Sequence, residues 1–172
     1  MLRWFLGCVV IAALAAPVAA APVVRADRAI AEEIGDRVRA YTYFTIFDDV
    51  QGDVRNGIVT LTGKVTAPHK VQAIGRIVAG VRGVREVLNK LEVTSASPWD
   101  DHLRAKIAQS IYGDDMFLKY AVQPYPSIHV IVDRGHVTLT GVVDNELERR
   151  RAEMIARGVF GSFSVKNNLR VE

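Results

Sequence analysis

The 172-residue sequence contains a single cysteine, Cys8, so it offers no internal disulfide, no thiol-based zinc site and no redox pair. Charge of either sign is scarcely in excess. Lys and Arg number 22 against 19 Asp and Glu, a formal +3 that is too small to imply nucleic-acid binding. His69, His102, His129 and His136 show neither the His-x-x-x-His nor the Glu-x-x-His spacing, whereas a zinc site needs convergent ligands. There is no Gly-x-Ser-x-Gly elbow and no glycine-rich loop followed by Lys-Ser or Lys-Thr. The acidic pairs Asp48-Asp49, Asp100-Asp101 and Asp114-Asp115 are expected to serve as helix caps and solvated turns, and the histidines to lie at the surface. These absences lead to the expectation of a protein that is not an enzyme and carries no metal or cofactor.

An apolar run is present at the start. Arg3 precedes Trp4 to Ala16, Pro17 breaks the run, and Val18-Ala19-Ala20 places small residues before Ala21. This layout predicts a cleaved signal peptide over residues 1–20 and a destination outside the cytoplasm. An uncleaved anchor is the alternative, because Trp4 to Ala21 is about the ~18-residue minimum for a span. A lipoprotein site at Cys8 is excluded by the lack of an apolar run before it. The exported remainder would contain no cysteine, so packing must hold it together.

That remainder is a repeat. Asn56-Gly57-Ile58-Val59-Thr60-Leu61-Thr62-Gly63 recurs as Arg134-Gly135-His136-Val137-Thr138-Leu139-Thr140-Gly141 at an offset of 78. Carried on without a gap, the offset gives 15 identities in the 37 positions from Gly57 to Val93. Two domains follow, over residues 27–94 and 99–172, joined near Thr94-Ser95-Ala96-Ser97-Pro98.

Each copy predicts the order α-β-β-α-β. Ile30, Ile34, Val38 and Tyr41 make one helical stripe and Leu103, Ile107 and Ile111 its counterpart, with Asp27, and Asp100 or Asp101, as caps. Asn56-Gly57 is a strong type I′ hairpin signal that sets Val54 opposite Val59 and Gly52 opposite Leu61. In copy two, Val132 then faces Val137 and Val130 faces Leu139. Valines and leucines fall on one face and threonines on the other, as in a sheet covered on a single side. Thr66 and Asp144 are expected to cap a second helix, and a last strand follows, in which Asn89 and Asn167 interrupt the apolar alternation. The fold class is α+β, with two helices on one face of a three-stranded mixed sheet in each copy.

Gly57-x-Val59-Thr60-Leu61-Thr62-Gly63, followed by Gly83-Val84-x-x-Val87-x-Asn89-x-Leu91-x-Val93, resembles the BON domain. Copy two departs at Ser162, where a valine is usual, and Phe163 is expected to supply the apolar bulk. The resemblance covers both copies. It implies a periplasmic protein without catalysis, associated with phospholipid binding, envelope integrity under stress such as osmotic stress, or chaperoning.

Two features sharpen that into a candidate surface. Arg149, Arg150, Arg151 and Arg157 give the second helix of copy two a basic side, each arginine worth about 1 kcal/mol near an anionic membrane. Trp99 and the aromatic loop containing Phe117 and Tyr120 resemble a segment that enters a membrane interface. These seven residues are the candidate lipid contacts. The competing expectations are Glu146, Glu148 and Glu153 neutralising the arginines, and the loop serving as core. The expected partner is an anionic phospholipid surface; a chaperone for unfolded envelope proteins and an adaptor docking to an envelope complex are the alternatives.

Overall fold

The computed structural model describes residues 21–172, with side-chain surroundings from Ala26 onward; the expected signal peptide lies outside them. Copy one runs α1 (Ala21–Arg39), β1 (Asp49–Arg55), β2 (Ile58–Val65), α2 (Pro68–Ala79), β3 (Glu86–Asn89) and β4 (Glu92–Val93). Copy two runs α3 (Pro98–Tyr112), a 3-10 turn at Asp115–Phe117, α4 (Leu118–Ala121), β5 (Ile128–Asp133), β6 (His136–Val143), α5 (Glu146–Gly158), β7 (Ser164–Asn167) and β8 (Arg170–Val171). No helix among the described residues is long and apolar enough to cross a membrane.

Each hairpin has the register its turn dictates: Val54 opposite Val59, Gly52 opposite Leu61, Val132 opposite Val137 and Val130 opposite Leu139. The turn residues occupy the left-handed region in both copies, Asn56 and Gly57 at φ 53° and 76°, Arg134 and Gly135 at 54° and 75°. The last strand lies parallel to β2 or β6 and is split into two short pieces. The repeated asparagine causes the split. Asn89 Nδ2 donates to Val71 O at 2.8 Å while its Oδ1 accepts from Leu91 N, and Asn167 repeats both bonds with Arg149 O and Leu169 N.

The expected stripes form two separate cores. Ile30, Ile34, Val38, Val59, Leu61, Ile74 and Val78 build the first, and Leu103, Ile107, Val130, Leu139, Ala152 and Ala156 lie in the second. Where α2 places Ile74 and Val78, α5 offers only two alanines, and Phe117 joins the second core among them.

Several expected caps serve other ends. Asp27 lies inside α1 and accepts from Asn56 N (2.7 Å) and Gly57 N (2.9 Å), gripping the hairpin turn. Asp100, buried, does the same for Arg134 N and Gly135 N at 2.7 and 2.9 Å, and Ser97 caps α3 in its place. A tight left-handed turn leaves its amides unpaired within the hairpin, and a carboxylate brought over by the helix satisfies both. Ala67 stands at the N-cap of α2 without a side-chain bond, and Asn145 caps α5, so Thr66 and Asp144 do not. Asp48, expected in a solvated turn, is wholly buried.

The copies touch. Ile46 O accepts from Val130 N at 2.8 Å, Asp48 O lies 2.6 Å from His129 Nδ1, and Lys64 pairs with Asp133. Ile46 and Phe47 pack against the second core. The threonine face of copy two is thus not open throughout: Ile131 and Thr140 on it are buried, and His129 is half-buried rather than at the surface.

Candidate functional site

The turn-bearing end of copy two is where the structure gathers exposed aromatic side chains. Phe160 is 86% exposed, Phe163 76% and Trp99 56%. Their positions follow from the glycines beneath them. Phe163 N donates to Gly135 O at 2.9 Å, and its ring lies where a Cβ on Gly135 would stand, 2.5 Å from Cδ2. The Trp99 indole lies over Gly161, with Cζ2 3.4 Å from the corresponding point. Trp99 directly precedes Asp100, the aspartate that grips the same turn. Arg134, exposed at the turn, and Arg157, at the end of α5, carry positive charge nearby. His136 meets Phe163 edge-on at 6.3 Å between ring centroids.

The repeat makes this arrangement specific to copy two. The 78-residue offset pairs Phe160 with Arg82 and Phe163 with Arg85. Arg85 lies over Gly57 through its aliphatic stem, as Phe163 lies over Gly135. Counted from the gripping aspartates, Trp99 corresponds to Ala26. One scaffold therefore presents alanine and two arginines in the first copy and three aromatics in the second. Phenylalanines this exposed lie outside both buried cores and gain little from the fold of their own chain.

The other sequence candidates fare differently. Phe117 is wholly buried and Tyr120 only 4% exposed, so neither can reach a surface. Tyr120 instead donates its hydroxyl to Glu148 at 2.6 Å and accepts from Asp144 N, and burial pushes its pKa up to about 12. Three of the four arginines are engaged: Arg149 with Glu146 and Leu169 O, Arg151 with Asp114 at 2.6 Å, Arg157 with Glu153 at 2.7 Å. Arg150 is 80% exposed, with Glu146 only at 4.0 Å. Of the seven candidates, Trp99 and Arg157 lie at the aromatic end; Arg149, Arg150 and Arg151 sit in the first half of α5. Sequence reasoning missed Phe160 and Phe163, expecting Phe163 to fill the core beside Ser162. The signal was available in the arginine-to-phenylalanine exchange at matched repeat positions.

A polar knot fixes the loop-to-helix junction in each copy with its charges exchanged. In copy one the loop supplies the acid: Asp48 accepts from Lys70 Nζ (2.7 Å), Thr66 N, Thr66 Oγ1, Thr45 N and Thr45 Oγ1. Burial raises the Asp48 pKa, but these donors outweigh it and hold the carboxyl below its usual value. In copy two Glu148 stands at the position of Lys70, and the base is Lys119 of the loop, 2.7 Å away. No group of three or more His, Cys, Asp or Glu side chains able to hold a metal converges among the described residues.

The model of the BON domain family matches residues 26–95 and again 100–172. The chain belongs to the BON domain family. Osmotically-inducible protein Y of Escherichia coli K12 is 32% identical over 133 residues, which cover 72% of this chain and 62% of that protein. This BON protein thus spans less than two thirds of that relative's length. Among solved structures, the C-terminal domain of CdsD, the structural protein of the Chlamydia trachomatis type III secretion system, is 15% identical with a TM-score of 0.34, over 85% of this chain and 67% of that one. A second CdsD structure gives 17% identity and a TM-score of 0.32, over 85% and 63%. Superpositions so loose assign no function.

Proposed function

We propose that this chain is a non-enzymatic periplasmic BON protein that binds an anionic phospholipid surface through the aromatic end of its second copy and supports the envelope under osmotic stress. The single observation that carries the contact is the exposed trio Trp99, Phe160 and Phe163, present in copy two and replaced by Ala26, Arg82 and Arg85 in copy one. Amphipathic aromatics favour the headgroup layer, and each large ring withdrawn from water contributes about 1.5–3 kcal/mol. Arg134 and Arg157 add attraction to anionic headgroups, partly offset at Arg157 by Glu153. The export pattern of residues 1–20 supports a periplasmic location, and the name of the E. coli relative supports the stress setting.

Flotation with phosphatidylglycerol vesicles tests the proposal. The wild-type chain is expected to float with them more than with phosphatidylcholine vesicles, less so as salt is raised. Phe160→Ser with Phe163→Ser is expected to weaken partition at least about tenfold without changing the fold, since neither ring supports the core. Equal flotation of wild type and double variant would overturn the assignment of the site.

A further inference from the structure

The two hairpin turns differ at one residue, and that residue changes the chemistry open to them. Asn56-Gly57 stands in copy one where copy two has Arg134-Gly135. Asn56 is the one asparagine of the sequence followed by glycine. The carboxamides of Asn89, Asn145 and Asn167 are tied by hydrogen bonds. Asn56 is exposed, and its carboxamide makes no such bond among the described residues. Glycine has no Cβ to hinder attack of its nitrogen on the side chain before it.

The nitrogen itself is withheld. Gly57 is buried and its N–H donates to Asp27 Oδ1 at 2.9 Å, while Asn56 N donates to Oδ2 at 2.7 Å. To act as a nucleophile the Gly57 amide must lose its proton, and a carboxylate accepting that N–H opposes the negative charge that would result. The same grip holds both residues in the left-handed region, at φ 53° and 76°. Asp27 belongs to α1, so the protection lasts only while that helix stays docked on the turn.

We propose that Asn56 is a self-modification site that Asp27 keeps closed. When α1 lifts from the turn, the Gly57 nitrogen gives its proton to solvent and attacks Asn56 Cγ. A C–N bond forms, the bond from Cγ to the side-chain nitrogen breaks, and that nitrogen leaves as ammonia with a proton taken back from solvent. Water then opens the succinimide at either carbonyl, which leaves aspartate or isoaspartate at position 56. Water is the only co-reactant and no electrons change hands. The isoaspartate form routes the main chain through the side chain, lengthens the turn and disturbs the bond from Arg85 N to Gly57 O (2.8 Å) that leads into β3. The aspartate form brings a second carboxylate close to Asp27. Either product loosens the clasp of copy one alone, because Arg134 has no carboxamide. The inference does not depend on the lipid contact of copy two.

The test incubates the full chain in mildly alkaline buffer and follows the peptide containing Asn56 by mass spectrometry, with enzymatic methylation of isoaspartate as a second readout. The folded wild type is expected to convert at least about tenfold more slowly than the same chain in urea, and folded Asp27→Ala to recover most of that difference. Arg134→Asn supplies a second Asn-Gly turn, held by the buried Asp100, and that turn is expected to be as well protected as Asn56. This variant keeps the test decisive should Asp27→Ala fail to fold. Three results would overturn the proposal: folded wild type converting as fast as in urea, folded Asp27→Ala converting no faster than wild type, or rapid conversion at position 134 in folded Arg134→Asn.

Discussion

Gly63 and Gly141 carry the strictest requirement among the described glycines. At φ 118° and 110°, a Cβ would stand 2.2 Å from Asp49 O and 1.8 Å from Ser127 O. Gly141→Ala is expected to destabilise copy two by about 3 kcal/mol or more, measured by denaturant unfolding, because both the dihedral and a backbone oxygen oppose it. At Arg134 the sign reverses: a long side chain occupies a left-handed position that asparagine or glycine adopts more readily. Arg134→Asn is therefore expected to stabilise the hairpin by about 0.5–1 kcal/mol, read as a raised unfolding midpoint. The hairpin register was legible in the sequence for a related reason, since Asn-Gly with flanking alternation leaves one pairing open. The destinations of Asp27, Asp48 and Asp100 were not legible. An aspartate near a helix start resembles a cap, and only tertiary placement turns it toward amides thirty residues away or buries it against a lysine.

At the scale of elements, the two polar knots join a loop to the start of a helix with opposite polarity. Lys70→Met leaves the Asp48 carboxylate buried without its cation and is expected to cost about 3–5 kcal/mol. Its carboxyl would then titrate upward, whereas in the wild type it lies below 3.8. A depressed carboxyl contributes stability that is present above the unfolded-state value and lost as pH falls through the folded one. Asp48 and Asp100 are both depressed, so the wild type is expected to hold its stability down to about pH 4 and to lose it below, in acid titrations followed by circular dichroism. The helix stripes, strand order and parallel return were legible from period and repeat. The loop between α3 and β5 was not. Phe117 and Tyr120 resembled an exposed aromatic segment until the small Ala152 and Ala156 opposite made room for the former.

Across the whole molecule, one histidine stands where the copies meet. His129 is held by Asp48 O and tilts against Phe44 at 5.5 Å, with the carboxylates of Asp48 and Asp49 near and Arg170 and Arg39 lining an adjoining groove. Burial lowers its pKa despite those acids, so the neutral ring fits the interface better. The contact therefore has its full strength above 6.5, the unperturbed value, and weakens as pH falls from there through the folded-state value. Line broadening of Val130 and Ile46 resonances on acidification, absent in His129→Gln, is the expected signature. The exposed aromatic end belongs to this scale too, because its meaning comes from comparing one copy with the other.

That end is probed most directly by the emission of Trp99, the single tryptophan of residues 21–172, during titration of that exported portion with phosphatidylglycerol vesicles. A blue shift that saturates, and disappears with Phe160→Ser and Phe163→Ser, is the predicted result. Unchanged emission at saturating lipid would contradict the account.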